Sequence, residues 1–467
     1  MTRAQEAGSA PMLTRRHLLG LAAAGSVAWL TPQLAGGPSR AQASYLVPLP
    51  GPLPGEPLRR LPELRLFRGA AGIRTGYLTA ARLPKGSIET GALAAQALSY
   101  NGTFPGPVIR LREGHPARVI FRNRSGETSN LHLHGLRIPP HVDAPFAHVH
   151  AGTNQTYRFR PPQQSAGTYW YHPHLHGSVE GQMERGLVGP IIVDPARLPA
   201  PLAGSEDHLV VLSTRLDQTQ VLINGAPSPT LTVQTPMVRL RLINAGVGRT
   251  LTLHLRETSG PGAGRLRPLW VVATDGGFVN HPVRVTSLTL GAGERAEVLV
   301  DALLAPAGLV TADDGATQLL LTGPGHATHP PRAGALGHVP LLRPAAGATH
   351  RRIVLGQAAD GTFRLDGRLF DAGRVDQHVR AGALEVWDIV NTTGVEHPFH
   401  VHTWPFQVLR RGHLPEPFAA WRDVVVVQPG QTVRLAIPFT ANKGRTVYHC
   451  HIAMHEDAGM MGVVQVS

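Results

Sequence analysis

The residues near the carboxyl end of the chain include its only cysteine and are rich in groups that bind metal. Cys450 stands between His449 and His451, and His455 and Met460 follow it closely. A soft thiolate beside imidazoles and a thioether is a donor set that suits copper. The pattern therefore predicts that this stretch is where the protein takes up electrons.

The order of these ligands predicts two separate metal centres joined by one short strand. Successive side chains of a β-strand point to opposite faces, so Cys450 would face one side while His449 and His451 face the other. We expect this strand to run from Tyr448 to His451. One segment would then bind two centres and connect them through covalent bonds.

Further histidines lie in three other clusters along the chain. A His-x-His pair in a strand places both imidazoles on one face, where a metal can bind them but an apolar core would not tolerate them. Four such clusters together with a cysteine indicate metal binding rather than a structural role. The three further clusters are His132-Leu-His134-Gly, Tyr171-His172-Pro-His174-Leu-His176-Gly and His397-Pro-Phe-His400-Val-His402.

Three weak internal repeats predict the framework that positions these clusters. Each repeat has a tight Asn-Gly or Asp-Gly turn and then an alternating strand that ends on Asn. No long amphipathic helix pattern competes with the short alternating runs, so the sequence predicts an all-β chain of three consecutive Greek-key β-sandwich domains. The turns lie at Asn101, Asn224 and Asp366, and the strands end at Asn123, Asn244 and Asn391.

Composition divides the chain into a leader, a lead segment and the three domains. Residues 1–43 contain Arg15-Arg16, an apolar run to Leu30 and a small-residue cleavage site, which together predict a twin-arginine signal peptide. Residues 44–62 are rich in Pro and Gly, and we expect them to be extended and poorly ordered. The domains are predicted at residues 63–195, 196–340 and 341–467, with a linker or surface loop from Gly323 to His350.

The chain is strongly basic, with a net charge of +13 and an isoelectric point near 10.9. Its arginines are scattered rather than gathered into a basic run, so nucleic-acid binding is not predicted. One cysteine excludes an internal disulfide. The apolar run of the leader is shorter than the roughly 20 residues that a spanning helix needs, so no stable membrane insertion is expected.

The four histidine segments resemble the copper motifs of the multicopper oxidases, particularly bacterial three-domain laccases and cuprous oxidases. The resemblance covers the whole chain after the leader, and its motifs are highly specific. It implies three cupredoxin-like domains and four copper ions. One type 1 copper would lie in the third domain, and a trinuclear cluster of one type 2 and two type 3 coppers would lie between the first and third. The middle repeat carries no ligand cluster, as the family pattern implies for a spacer domain.

The resemblance also implies a role for each ligand, position by position. The type 1 ligands would be His397, Cys450 and His455, with Met460 at the weak axial position and Met461 as its competitor. The type 2 ligands would be His132 and His400. The type 3 ligands would be His134, His172, His174, His402, His449 and His451. No ligand is substituted, whereas the copper-free branch of the family, cell-division proteins exported by the same route, has degraded ligands.

Acidic residues beside the motifs are candidates for delivering protons to the buried cluster. Glu456 directly follows a type 1 histidine, and Asp143 lies nine residues past His134. Both resemble the family's acidic residues near the cluster. Asp423 is a further candidate, as the partner that orients a type 1 ligand.

Three histidines with similar spacing stay outside this ligand set. His176 lies one step beyond His174, and we interpret it as a surface residue or as a neighbour of a ligand. His148 and His150 form a His-x-His pair but match no copper motif. We interpret this pair as surface histidines.

The resemblance implies an oxidase that couples four one-electron oxidations to the reduction of dioxygen to water. Dedicated cuprous oxidases carry a Met-rich insertion near the type 1 site, because thioethers bind Cu(I). This chain has seven methionines and none between Gly323 and His350. A laccase-type oxidase of phenols and aromatic amines is therefore favoured over a cuprous oxidase. Copper-type nitrite reduction is disfavoured, because those enzymes resemble two-domain chains without a trinuclear set.

A non-catalytic envelope scaffold or copper carrier is the alternative from a different class. The oxidase would need dioxygen and a small aromatic reductant or Cu(I) as partners, whereas the carrier would need only copper. In either case the twin-arginine machinery would export the folded precursor to the periplasm or out of the cell.

Overall fold

The computed structural model describes residues 55–69, 72–83, 97–214, 220–301, 306–312, 315–323, 331, 334–440 and 442–467. Their regular secondary structure is almost entirely β-strand, together with three short α-helices. None of the helices in this part of the chain is long and apolar enough to cross a membrane. The predicted signal peptide, residues 1–43, lies outside the described residues.

The first domain is built from eight strands and two short helices within the described residues. They are β1 (Phe67–Arg68), β2 (Arg74–Arg82), β3 (Leu98–Tyr100), β4 (Ile109–Arg112), β5 (Ala117–Arg124), α1 (Pro140–Asp143), β6 (Asn154–Phe159), β7 (Gly167–Tyr171), α2 (Val179–Glu184) and β8 (Gly189–Asp194). One sheet has the order β1-β2-β5-β6 with β3 paired to β2, and the other has the order β4-β8-β7. Val119 and Phe121 of β5 enter the core because alternate residues share one face of a strand.

The middle domain contributes twelve strands to the described structure. They are β9 (Glu206–Thr214), β10 (Val221–Ile223), β11 (Thr230–Thr232), β12 (Met237–Asn244), β13 (Leu251–Glu257), β14 (Leu266–Arg267), β15 (Leu269–Thr274), β16 (Gly277–Val285), β17 (Leu288–Leu290), β18 (Arg295–Asp301), β19 (Ala307–Thr311) and β20 (Thr317–Thr322). The sheets have the orders β10-β9-β12-β18-β15-β16 and β11-β20-β19-β13-β14, with β17 paired to β13. Both sheets supply leucines and valines to one core, which includes Leu240 and Leu253.

The third domain has eleven strands and one helix in the described structure. They are β21 (His350–Gln357), β22 (Phe363–Leu365), β23 (Gln377–Val379), β24 (Leu384–Asn391), β25 (His397–Val401), β26 (Gln407–Arg411), β27 (Leu414–Pro415), β28 (Val424–Val427), β29 (Thr432–Pro438), β30 (Gly444–Cys450), α3 (Ala453–Asp457) and β31 (Met461–Val466). The sheets have the orders β22-β21-β24-β29-β26-β27 and β23-β31-β30-β25-β28. Cys450 and Met460 belong to the core between them.

The three predicted repeats are equivalent in three dimensions. Asn101, Asn224 and Asp366 have φ angles of 54°, 50° and 51°, as the tight turns require. In each turn the side-chain oxygen accepts a hydrogen bond from a strand N–H, that of Thr79, Val211 or Val354. Each repeat also pairs two strands in parallel, β2 with β5, β9 with β12 and β21 with β24. The predicted all-β chain of three β-sandwich domains is confirmed.

Part of the Pro/Gly-rich lead segment is docked, so the expectation of poor order is wrong for residues 55–62. The N–H of Leu58 donates to the carbonyl of Thr230 over 2.8 Å. The Leu58 side chain packs on the middle-domain core. Burial of this apolar side chain against an existing core offsets the entropy lost on ordering the segment.

The segment proposed as a linker also packs against the middle domain where the structure describes it. Leu336 and Val339 are buried. The Asn280 amide accepts a hydrogen bond from the N–H of Val339 over 2.6 Å and donates one to its carbonyl over 3.1 Å. Residues 336–339 of this segment are therefore fixed to the middle domain, and Pro340 and Leu342 bond to Gln407 of the third domain.

Candidate metal centre

At the end of β30, the side chain of Cys450 and the side chains of its two neighbours enter different groups of metal-binding residues. The strand ends at Cys450, one residue earlier than predicted, and His451 follows in a bend. The Cys450 Sγ lies 3.4 Å from Nδ1 of His397 and 3.5 Å from Nδ1 of His455. His449 and His451 join two other groups of histidines. The side chains divide as strand alternation predicts.

The cysteine group consists of His397, Cys450 and His455, whose ligand atoms all lie within 4.8 Å of one another. Burial lowers the pKa of His397 to about 4 and, together with the nearby His397, that of His455 to about 3, so both rings are neutral near pH 7. Burial also raises the pKa of the Cys450 thiol. Because a coordinated metal ion deprotonates a thiol, a bound cation would overcome this penalty.

The two adjacent methionines lie on different sides of the segment that follows this group. Met460 is fully buried in the same apolar core as Cys450, and its carbonyl accepts the Cys450 N–H over 3.1 Å. Met461 begins β31 and packs instead with Val447 and Val463. The Met460 side chain therefore shares a core with Cys450 and the Met461 side chain does not.

Phe363 covers the outer side of the two histidines. Its ring centroid lies 4.2 Å from that of His455 and 5.0 Å from that of His397. His397 is fully buried and its Nε2 lies 2.9 Å from the Thr393 hydroxyl, whereas His455 keeps 6% of its surface exposed. His455 is therefore the histidine of this group with an edge that solvent can reach.

Eight histidines of the first and third domains converge in a second, fully buried region. His134 Nδ1 lies 3.4 Å from His172 Nε2 and 3.3 Å from His451 Nε2. Across from this group, the Nε2 of His449 lies 3.2 Å from Nε2 of His174 and 3.1 Å from Nε2 of His402. His132 and His400 join His134 in a further group. These are the eight histidines that the sequence singled out for a trinuclear cluster.

The protonation of these rings leaves nitrogen lone pairs available. Burial, with the neighbouring imidazole His402, lowers the pKa of His400 well below its ordinary value. His400 Nδ1 donates to the carbonyl of Asp423 over 2.7 Å, because a carbonyl can only accept. The Nε2 atoms of His132 and His400 are buried without a hydrogen-bond partner. Unpaired imidazole nitrogens at such spacing fit copper ions, which are well suited to imidazole ligands.

Asp143 joins histidines from two domains. Its Oδ1 lies 2.7 Å from Nδ1 of His132, and its Oδ2 lies 2.7 Å from Nδ1 of His402. An ionised carboxylate only accepts, so both Nδ1 atoms carry the proton and both Nε2 atoms face away as possible ligands. With both oxygens engaged in this way, Asp143 has the geometry of a residue that orients ligands.

Glu456 lies between two histidines without forming a hydrogen bond to either. Its Oε1 is 3.3 Å from His174 Nε2 and its Oε2 is 3.2 Å from His449 Nδ1. Both oxygens are fully buried and lack a hydrogen-bond partner. Burial acts to raise the pKa of Glu456, but the charges of His449 and His174 outweigh it and lower the pKa overall. The lowered pKa keeps Glu456 ionised between the two histidines.

Asp423 occupies a different place from the one expected, which was beside a type 1 ligand. Its Oδ1 lies 3.0 Å from Nε2 of His134 and 3.6 Å from Nδ1 of His400. Both histidines belong to the eight-histidine region. The expectation failed because β28, which begins at Val424, pairs with β25 in a register that sets His400 rather than His397 opposite Val424.

The remaining histidines with similar spacing lie at the surface, as interpreted from the sequence. His148 and His150 are exposed. His176 is also exposed, and its ring centroid lies 4.9 Å from that of Phe370. These three side chains do not join the histidine groups found among the described residues.

Sequence reasoning missed Phe363, Thr393 and Arg295, a buried middle-domain arginine that donates to both carboxylate oxygens of Asp423. Thr393 lies four residues before His397, a spacing short enough to have suggested contact. Phe363 and Arg295 lie far from their partners in the sequence and follow no motif that would single them out.

Comparison with known proteins assigns the family. Two family models described as multicopper oxidase match residues 85–197 and 343–467. These ranges contain all the histidine clusters and the cysteine. The chain belongs to the multicopper oxidases. It is therefore an oxidoreductase of a copper-dependent family.

Two curated relatives show how far the similarity extends. Multicopper oxidase mco of Staphylococcus haemolyticus is 28% identical over 399 residues, covering 80% of this chain and 84% of the relative. Cell division protein FtsP of Xenorhabdus nematophila is 29% identical over 373 residues, covering 71% of this chain and 76% of the relative. The family thus includes relatives named for different functions.

Two solved structures are similarly close to this multicopper oxidase. A multicopper oxidase from Campylobacter jejuni, described as a metallo-oxidase, has a TM-score of 0.77 at 26% identity and covers 89% of this chain and 96% of its own. A laccase from Pediococcus acidilactici has a TM-score of 0.77 at 28% identity and covers 89% of this chain and 95% of its own. The fold likeness is equal for a protein described as a metallo-oxidase and for a laccase.

Proposed function

We propose that this multicopper oxidase is laccase-like and couples four one-electron oxidations of phenols or aromatic amines to the reduction of dioxygen to water. The observation that carries the proposal is the convergence of the family's donors into one cysteine group and one eight-histidine region, both buried. Copper would supply one-electron redox chemistry in both places. The side chains would bind the copper, exclude water from it and move protons.

The geometry supports a ligand assignment for four copper ions. The type 1 ion would be held by His397, Cys450, His455 and axial Met460, and the type 2 ion by His132 and His400. The type 3 ions would be held by His134, His172 and His451 for one, and by His174, His402 and His449 for the other.

The path between the two centres is the chain itself. Cys450 belongs to the first centre, and its covalent neighbours His449 and His451 belong to the two type 3 groups. The peptide bonds on either side of Cys450 link the first centre covalently to both groups, and the partly exposed edge of His455 is where a reductant would approach. Glu456 is the proposed proton carrier, and Asp143 is proposed to hold His132 and His402 in place.

The surroundings of His455 favour an organic reductant over Cu(I). Met454, one residue before His455, is 55% exposed and is a single thioether, whereas Cu(I) sites gather several soft ligands. Residues 334–350 contain no methionine. A cuprous oxidase remains the second candidate, supported by Met454 and by the likeness to the Campylobacter metallo-oxidase.

The choice between these reductants is tested by dioxygen consumption. The dioxygen uptake of copper-loaded protein is measured side by side with 2,6-dimethoxyphenol and with Cu(I) as the reductant. Cys450→Ser protein serves as the blank for each reductant. We expect higher kcat/KM with the phenol. A preference for Cu(I) by an order of magnitude would reverse the order of the two candidates.

A copper carrier or envelope scaffold is the alternative from a non-catalytic class of protein. The similarity to the cell division protein FtsP supports this alternative. Against it, the twelve proposed ligands are all present, and a scaffold would not need them. Copper stoichiometry together with dioxygen uptake separates the classes, because a carrier binds copper without consuming dioxygen.

We expect Met460→Leu to raise the type 1 reduction potential by on the order of tens of millivolts while the protein stays blue. Leucine fills a similar volume but donates no electron density, so Cu(II) loses a weak ligand. Redox titration measures the shift, with Met461→Leu as the matched control. A potential that rises in Met461→Leu and stays constant in Met460→Leu would show that the axial ligand is Met461 rather than Met460.

Phe363→Ala is expected to raise kcat/KM for 2,6-dimethoxyphenol roughly 10-fold, the scale on which pocket shape discriminates substrates. The smaller side chain uncovers the edge of His455 and lets a ring approach it. Phe370→Ala is the control, because Phe370 is also partly buried but contacts the exposed His176. An unchanged or lower kcat/KM in a variant with normal blue absorption would show that Phe363 does not limit access.

We also propose that the precursor is exported through the twin-arginine route and acts in the periplasm or outside the cell. Arg15-Arg16 and the apolar run that follows support this route. Twin-arginine export carries folded proteins, which suits a protein that binds its metal before export. Retention of the precursor in the cytoplasm after Arg15→Lys and Arg16→Lys substitution would support the assignment, and unchanged export would contradict it.

A further inference from the structure

The middle domain contacts the eight-histidine region, although none of those eight histidines belongs to it. Residues 291–294 connect β17 to β18, which begins at Arg295. Gly293 has a φ of +89°, and a Cβ at this position would lie 2.8 Å from Cδ2 of His451. A side chain has no room there, so the backbone of this segment packs directly against a proposed type 3 ligand.

Arg295 extends this contact to two more histidines. It is fully buried, and its Nη1 and Nη2 donate to Oδ1 and Oδ2 of Asp423, each over 2.6 Å. The same Asp423 Oδ1 lies 3.0 Å from Nε2 of His134, and the Asp423 carbonyl accepts from Nδ1 of His400 over 2.7 Å. Three residues, one from each domain, thus form a series of contacts that runs from Arg295 through Asp423 to His134.

The arginine is itself held in a single orientation. Its Nη2 donates to the carbonyl of Asp275 over 2.8 Å, and its Nη1 donates to the carbonyl of Gly293 over 3.0 Å. A bidentate guanidinium fixes both oxygens of a carboxylate, which a single-point ammonium cannot do. Asp423 is therefore prevented from turning away from His134.

The glycine that follows His134 makes this approach possible. Gly135 has a φ of +85°, and a Cβ on it would collide with Nη2 of Arg295 and lie 2.6 Å from Oδ2 of Asp423. The fourth residue of the His132-Leu-His134-Gly motif is thus explained by a contact with the middle domain.

We propose that Arg295 is a positioning residue of the trinuclear site, through which the middle domain holds Asp423 and thereby the rings of His134 and His400. The middle domain then builds one wall of the site and is more than a spacer. This inference rests on the proposed copper-binding function. The Asp423 carboxylate contacts His134, a proposed type 3 ligand, and Asp423 also bonds through its carbonyl to His400, a proposed type 2 ligand, so a loose Asp423 weakens both positions.

The test measures copper occupancy and spectra rather than turnover. Arg295→Met and Arg295→Lys proteins are loaded with copper and titrated with a chelator, and type 1 and type 2 signals are followed by electron paramagnetic resonance. Loss of a partner that orients a ligand lowers metal affinity about 10- to 100-fold, and we expect this drop for type 2 copper in Arg295→Met. The type 1 signal should not change, because Arg295 bonds to none of its proposed ligands.

Arg295→Lys should recover part of the type 2 affinity, since it keeps the charge but loses the bidentate contact. It also keeps the test decisive if the methionine variant does not fold. Arg241→Met is the matched control, because Arg241 is a buried middle-domain arginine that bonds to Asp207 and Glu297. That control should keep its type 2 copper.

Two results would overturn the inference. An unchanged type 2 signal and affinity in folded Arg295 variants would show that Asp423 needs no arginine. An equal loss in Arg241→Met would show that any damage to the middle domain has this effect. If the unsubstituted protein itself bound no type 2 copper, the proposed function would fail and the inference with it.

Discussion

Cys450→Ser should give a folded protein without blue absorption and without measurable oxidation of any reductant. The thiolate supplies both the charge-transfer band and the electron route to His449 and His451, and a hydroxyl supplies neither. Cys450 is fully buried and serine is similar in size, so the fold should survive. An unsatisfied buried hydroxyl would cost about 1–3 kcal/mol of stability.

The outcome is measured by visible absorption, copper content and dioxygen uptake on the same sample. The eight-histidine region should keep its copper, because Cys450 is not among its ligands. Met461→Leu is a suitable control, since Met461 is buried nearby but packs in a different cluster. Retained oxidation of phenols by the folded, copper-loaded serine variant would show that electrons enter elsewhere.

Glu456→Gln should slow reoxidation by dioxygen roughly 10²-fold while reduction of the type 1 centre stays fast. Glutamine keeps the shape of the side chain but cannot take up and release a proton. The position is suited to this role because both Glu456 oxygens are buried between His174 and His449 without a hydrogen bond. Stopped-flow absorption separates the two half-reactions.

The structure distinguishes this variant from Asp143→Asn. Both oxygens of Asp143 contact Nδ1 atoms of proposed ligands, so an amide there would misorient His132 or His402 and lower copper content. Asp457→Asn is the control for charge near the cluster, because the Asp457 carboxylate accepts the N–H groups of Val179 and Glu180. Unchanged reoxidation in Glu456→Gln would move the proton-carrying role to Asp143 or to water.

The parts of the site that follow strand geometry were predictable from sequence. Alternation places Cys450 away from His449 and His451, whereas His132 and His134 lie outside the strands, in a bridge and a turn, where the alternation rule does not apply. The Asn-Gly and Asp-Gly turns revealed three equivalent domains because only a few residue types adopt their positive φ angles. Local stereochemistry carries this information, so a single sequence is enough to read it.

Contacts between domains were not predictable, because they depend on strand register and packing. Arg295 lies 128 residues before Asp423, and Asp423 lies 289 residues after His134. An arginine at the start of a strand is usually solvent-exposed, yet Arg295 is buried. Phe363 was overlooked for a similar reason, since no spacing rule connects β22 with the histidines that it covers.

The most direct test of the central claim is the ratio of reductant oxidised to dioxygen consumed by copper-loaded protein, with peroxide measured in the same sample. Buried carboxylates and a covalent link from Cys450 to both type 3 groups should allow complete reduction to water. We therefore predict four electrons per dioxygen and no peroxide. Two electrons per dioxygen with accumulating peroxide, or no dioxygen uptake by protein that carries its full copper complement, would contradict the account.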